Sequence, residues 1–264
     1  MAAMSDRMTK VAAADRSDFF FFERTDSDLP FYRGVPVGFG PGGWLIVFAS
    51  VAVAYFVLLV TQQLFTAGAA RFLPAVLFTL IPLANLAAIA GRRAPLALFR
   101  GLRGWDPVLI IGFFVLNFAV TVVLGLLVSS VVHAVSNPAG AILAGASTAD
   151  RLFFFAAATV QLLGEEIFTI LPFLGFPYFL DRVIGRKAAI CVAALGASII
   201  FALIHLPTYQ WNVPQALIGL VPVRIILLLP FIITRNIWVS TGVHVMNDWT
   251  IFGGTLLQDT IATG

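Results

Sequence analysis

The sequence predicts an all-α, polytopic transmembrane helical bundle of about seven spans, or eight if one is hidden, enclosing a buried polar cavity. Three observations carry this. Of 264 residues, 60% are hydrophobic and only 11% charged, with a mean hydropathy of +0.98, whereas a soluble domain is typically about 25% charged. The uncharged runs match the roughly 20 apolar residues that a helix needs to cross a bilayer core. The few charges inside those runs gather on three stretches in the C-terminal half.

Residues 44–60 form the first expected span. Residues 72–91 form the second, with Pro74 and Pro82 tolerated as membrane helices allow. Residues 107–132 form the third. Residues 152–180 form the fourth, interrupted only by Glu165 and Glu166, and 188–205 the fifth. Residues 215–233 form the sixth, interrupted by Arg224, and 237–257 the seventh, carrying His244 and Asp248. Residues 137–147, rich in Gly, Ala and Ser, are less apolar and are expected to form a short or re-entrant element. Residues 1–43 mix basic residues with six acids and end in a Gly/Pro-rich stretch. They are expected to be a loose cytoplasmic tail, with the Phe run 19–22 touching the membrane. The organisation read from this is a tail over 1–43, N-terminal membrane helices over 44–150, and a motif-bearing core over 151–258.

The single Cys191 excludes an internal disulfide. The net charge of +3 is weak and scattered and gives no reason to expect nucleic acid. Loop charge gives the orientation, because cytoplasmic loops are enriched in Lys and Arg. The 91–106 loop has Arg92, Arg93, Arg100 and Arg103; the 181–187 loop has Arg182, Arg186 and Lys187; the 234–236 link has Arg235. The alternate loops are nearly bare: Arg71 in 61–71, Arg151 in 134–151, none in 206–214. The expected protein is an integral one of a bacterial plasma membrane, with its N-terminus cytoplasmic and its C-terminus outside.

Ionisable side chains at membrane depth are costly and usually functional. Here they are Glu165 and Glu166, His205, Arg224, and His244 with Asn247 and Asp248. Each has a plainer reading: a Glu–Arg pair that only packs, or a His that bridges helices by a hydrogen bond. His133 reads as interfacial, and Asn85 and Asn117 as interhelical hydrogen-bond partners. Asp248 points about 100° away from Asn247 on a helix, as a supporting group or one facing water. Together, carboxylates, two imidazoles and an amide on three helices can activate a water and stabilise an oxyanion. The set Glu165, His205 and His244 could instead hold a divalent metal such as zinc. No H-E-x-x-H arrangement is present.

Three stretches carry a resemblance: Gly164-Glu165-Glu166-Ile167-Phe168, then Phe201 through His205-Leu206-Pro207, then His244-Val245-Met246-Asn247. In this order, on separate helices, they resemble the CPBP family, the CAAX proteases and bacteriocin-processing enzymes also known as the Abi family, over about residues 155–250. The resemblance implies an intramembrane endopeptidase of the glutamic type, without a cofactor. Glu165 would activate water with His205 assisting, and His244 and Asn247 would form the oxyanion site. The expected partners are a peptide or membrane-protein substrate and the lipid bilayer.

Ile170 departs from the pattern, standing where the family motif has an Arg one helical turn from Glu166. Two rival readings follow from the residues: a non-catalytic immunity or partner-binding protein of the same fold, favoured by Ile170, and a proton-coupled transporter using Glu165, Glu166 and Arg224, disfavoured because no half-repeat is visible. Since Glu166 at membrane depth needs a partner, Arg224 is expected to supply the missing guanidinium. Depth leaves one inconsistency. Along their helices Glu165 lies about 25 Å from Arg182 and His205 about 27 Å from Lys187, but His244 only about 14 Å from Arg235.

Overall fold

The structure, a computed structural model, describes residues 16–263, except for the side chains of 257–263. Among the described residues it is all-helical. The helices are α1 (Pro41–Leu64), α2 (Phe72–Ala90), α3 (Asp106–Val131), α4 (Pro138–Leu143), α5 (Thr148–Ile184), α6 (Arg186–Ile204), α7 (Val213–Thr234) and α8 (Ile237–Thr263). Each expected span is one of these helices. Six are long and apolar enough to cross a membrane, and the protein is an integral membrane protein. The seventh, α8, has 27 residues, but its Ser, Thr, Gly, His, Asn and Asp residues lower its apolarity. The uncertain 137–147 stretch contains α4, whose six residues are too few to cross a bilayer.

Helix α5 is the axis of the bundle. Its 37 residues correspond to about 55 Å at 1.5 Å per residue, and it packs on α1, α2, α6 and α8. Every residue from Gly164 to Gly175 is buried, as expected of a helix surrounded on all sides by others. Close approach at the motif is set by Gly164. A Cβ there would stand 2.8 Å from Thr79 Oγ1 on α2. The Thr79 hydroxyl in turn reaches Val160 O at 3.0 Å, fixing α2 against α5 one turn before the Glu pair. The other helices turn apolar side chains outward, such as Leu64, Val123 and Leu126, each more than 60% exposed, a surface suited to lipid.

Of the expected loose tail, residues 1–15 lie outside the described residues, and the described part is not loose. Residues 16–40 pack onto one end of the bundle, burying Phe19, Glu23, Leu29, Phe31, Tyr32 and Phe39. Only part of the Phe run is turned outward: Phe21 is 98% exposed while Phe19 lies under the Arg186 guanidinium, 4.3 Å from its ring centroid. The reason is charge. The acids of this segment meet the arginines of the connecting loops. Glu23 takes both nitrogens of Arg186 at 2.9 and 2.7 Å and Arg235 Nη2 at 2.6 Å. Arg186 also donates to Asp28 at 2.7 Å, Arg103 to Asp26 at 2.5 Å, and Arg24 pairs with Asp106 at the start of α3. Thus the Arg-rich 91–106, 181–187 and 234–236 connections and the N-terminal segment share one end of the bundle, as their charge pattern predicted.

Arg235 is fully buried beneath this segment. It is therefore no marker of the aqueous boundary, which removes the depth inconsistency of His244. Asn117, expected to bridge helices, is fully buried, yet its amide finds no hydrogen-bond partner. His133 is exposed at the end of α3, in keeping with an interfacial residue.

Glu23 is the hub of this end. Burial pushes its carboxyl up, but hydrogen bonds and charges from Arg186 and Arg235 and the Phe20 amide hold it below the ordinary value of 4.5. A carboxyl depressed on folding contributes stability that is complete above its unfolded pKa and is lost as pH falls through its folded one. Breaking a buried pair costs about 3–5 kcal/mol. Glu23→Ala is therefore expected to lower Tm strongly at neutral pH in detergent. It should also flatten the fall in stability below pH 4.5. A variant with the wild-type Tm would show that the hub does not hold this end together.

Candidate active site

Both motif carboxylates are near the middle of α5, and the helix sends them in different directions. Glu166 is fully buried. Its Oε1 meets Arg224 Nη1 of α7 at 2.7 Å and His244 Nδ1 of α8 at 2.9 Å. The cation sought for Glu166 is therefore Arg224, across the bundle. Ile170, where the motif Arg would stand, is instead fully buried in the apolar core. The Arg224 guanidinium is fully buried too and lies 4.7 Å over the Phe201 ring. Phe201 is the first residue of its motif, and its other neighbours are His205 at 4.4 Å and His244 at 6.4 Å between ring centroids. The phenyl ring thus packs against the Arg224 guanidinium and both imidazoles.

Glu165 points the other way, into a cavity of about 690 Å³ that it lines together with His205, Asp248, Gln161 and Tyr55. This volume is in the ordinary range for a binding site. Glu165 Oε1 accepts from Gln161 Nε2 at 3.1 Å, and Gln161 Oε1 accepts from Gln62 at 3.0 Å, so a relay of two amides orients the carboxylate from the cavity side. Its Oε2 is 3.8 Å from His244 Nε2, and Asp248 Oδ1 is at the same distance from that nitrogen. Asp248 follows His244 by one helical turn and so shares its face.

The hydrogen bonds fix the faces of both imidazoles. His205 Nδ1 donates to Phe201 O at 2.8 Å, because a carbonyl can only accept, and this leaves Nε2 free. The residue caps α6, and Tyr55 donates to the preceding Ile204 O at 2.6 Å, pinning this corner to α1. His244 Nδ1 faces Glu166 at 2.9 Å and Arg224 at 3.4 Å. The carboxylate is the nearer and can accept, so Nδ1–H donates to it and Nε2 is turned towards Glu165 and Asp248.

Glu165, His205 and Asp248 therefore line one cavity, with His244 at its back. Asn247 does not line it: it is buried, and its amide donates to Asp248 Oδ1 at 3.1 Å. Among the described residues no three His, Cys, Asp or Glu side chains are disposed to hold a metal ion; Glu165, His205 and His244 do not form such a group. Sequence reasoning overlooked Gln161 and the role of Phe201. Gln161 was visible as a polar residue one turn before Glu165.

The Arg224–Glu166 contact is expected to behave as a coupled buried pair. Arg224→Met alone should cost about 3–5 kcal/mol, because it strands the Glu166 charge. The double change with Glu166→Gln should recover much of that loss. Strictly additive losses in thermal unfolding would rule the coupling out.

Comparison with known proteins bears on the same residues. No curated protein and no solved structure matches the chain significantly. Residues 147–250 match the family model described as type II CAAX prenyl endopeptidase Rce1-like. The matched segment carries Glu165, Glu166, His205, His244 and Asn247, and its similarity is consistent with the CPBP-type CAAX protease family.

Proposed function

We propose that the protein is an intramembrane endopeptidase in which Glu165 activates the attacking water. The observation that carries this reading is the separation of two adjacent carboxylates. Glu166 is enclosed and spent on Arg224 and His244, while Glu165 reaches the cavity beside His205. One carboxylate is structural and leaves the other available for proton transfer.

In this reading a water in the cavity gives its proton to Glu165, with the free Nε2 of His205 accepting a second hydrogen bond from it. The water oxygen attacks the peptide carbonyl, and negative charge develops on the carbonyl oxygen. His244, held by Glu166 through Nδ1, is oriented to donate from Nε2 in its protonated form to that oxygen. The proton on Glu165 then passes to the amide nitrogen as the C–N bond breaks, leaving a carboxyl group and an amine. Asn247 acts through Asp248, whose carboxylate it steadies, and Glu166 is a positioning residue for His244. The non-catalytic alternative rested on Ile170. Arg224 supplies a guanidinium to Glu166 from another helix, which removes that objection. The Arg-rich end is assigned to the cytoplasm on its charge, which places the N-terminal segment inside.

Glu165→Gln preserves shape and removes the base. It is expected to lower turnover by about 10²–10⁴ while leaving Tm and peptide affinity unchanged, measured with a fluorogenic peptide library in detergent or lipid. Wild-type turnover in this variant would overturn the mechanism. So would tightly bound, stoichiometric zinc in purified protein that is lost on changing either His205 or His244, since the ion and not Glu165 would then activate water.

A further inference from the structure

The two ends of the bundle differ in both charge and access. The cavity runs from Glu165 to the connections after α1 and before α2, where Phe65, Thr66 and Arg71 line it, and to Asn137, Pro138 and Pro207 at the same end. The opposite end is closed by the N-terminal segment, with Glu23 locked between Arg186 and Arg235. The exposed cations lie at that closed end: Arg92, Arg93, Arg182 and Lys187. At the cavity end, among the described residues, stand only Arg71, before α2, and Arg151, in the first turn of α5, both partly buried. Lys and Arg in short loops are retained on the cytoplasmic side.

We propose that the cavity opens to the extracytoplasmic face, so that the peptide it receives is an extracytoplasmic segment: an exported peptide, or the part of a membrane protein emerging at the outer leaflet. The inference rests on the hydrolytic reading for the nature of the ligand, but not for the side from which it arrives. The cavity walls fit such a ligand. Apolar side chains such as Leu58, Phe154 and Phe252 surround it, while the carboxylate of Glu165 lies at its depth. A chain that is apolar near the scissile bond and has left the cytoplasm can reach it; a cytoplasmic chain meets the closed, arginine-rich end.

The test uses the full-length protein with Cys191→Ala and one new cysteine. Ala69→Cys and Thr66→Cys sit at the cavity end, both exposed. Gly104→Cys sits at the other, where an added Cβ meets nothing within 4 Å. A membrane-impermeant maleimide on intact cells should label the first two as fully as after permeabilisation, and Gly104→Cys only after permeabilisation. In parallel, an acylated, quenched fluorescent peptide library is added outside right-side-out vesicles, with the Glu165→Gln variant as control; cleavage that depends on Glu165 is expected without permeabilisation. Labelling of Ala69→Cys and Thr66→Cys only after permeabilisation, or cleavage only from the cytoplasmic side, would overturn the proposal. External labelling without cleavage from either side would sink the hydrolytic reading and leave the cavity's orientation supported.

Discussion

The buried contact between Arg224 and Glu166 sets the rest of the site. A carboxylate and a guanidinium withdrawn from water each need the other, because an unpaired charge at this depth is far more costly than the pair. At 2.7 Å the contact joins α5 to α7, and the same carboxylate oxygen receives His244 from α8. Three helices are thereby held in one register by a single oxygen atom. The pair is not ideally satisfied: Glu166 Oε2 and Arg224 Nε and Nη2 have no hydrogen-bond partner in the structure. A fold built for stability alone would do better with apolar side chains here. Retaining an expensive pair next to a cavity-facing carboxylate is better explained by the position it gives His244.

A second charged centre works at the other end of the bundle in a different way. Glu23 brings together Arg186 from the start of α6 and Arg235 from the α7–α8 link, and Asp106 ties α3 to Arg24. These contacts lie where three connections and the N-terminal segment meet. They hold the helix ends, while near the cavity the Tyr55 hydrogen bond joins α1 to α6, and the Thr79 hydrogen bond and the close approach at Gly164 join α2 to α5. One end is thus tied shut by ion pairs, and the other keeps its cavity.

Most of the bundle was legible because lipid imposes a strong rule: backbone groups must be satisfied within each span, so long uncharged runs read directly as helices. The boundaries of α2, α3 and α7 fall within two residues of the uncharged runs. The motif residues were legible for the same reason, since a Glu, His or Arg amid apolar residues stands out. Arg224 could be matched to Glu166 because it was the basic residue well inside an uncharged run. What could not be read were contacts made at long range from segments of ordinary composition. The acids of residues 18–28 resembled a solvated tail, and only the fold shows them facing Arg186, Arg235 and Arg103. Arg235 misled for the same reason, since a loop arginine is normally a surface marker and this one is enclosed. Asp248 was placed as a supporting group. Its position one turn after His244 put it on the cavity, while Asn247, on an adjacent face, was left behind it.

Ile170 stands where the motif of the resembled family has an Arg, and the structure brings a guanidinium to Glu166 from another helix. Four residues after Glu166 on one helix, an Arg would approach the carboxylate from α5 itself. Arg224 approaches from α7 instead, and its face is covered by Phe201 of α6. The charge balance at Glu166 is the same in both arrangements, because what matters to a buried carboxylate is a guanidinium within contact distance and not the helix that bears it. The mechanical consequence differs. A partner on the same helix would leave α7 free to shift relative to α5, whereas Arg224 couples them. Ile170 is fully buried and belongs to the same apolar core cluster as Ile167, Leu171 and Phe231. With Ile170 in the core, Glu166 keeps its charge compensation through Arg224, and that contact couples α5 to α7 beside the cavity-facing Glu165.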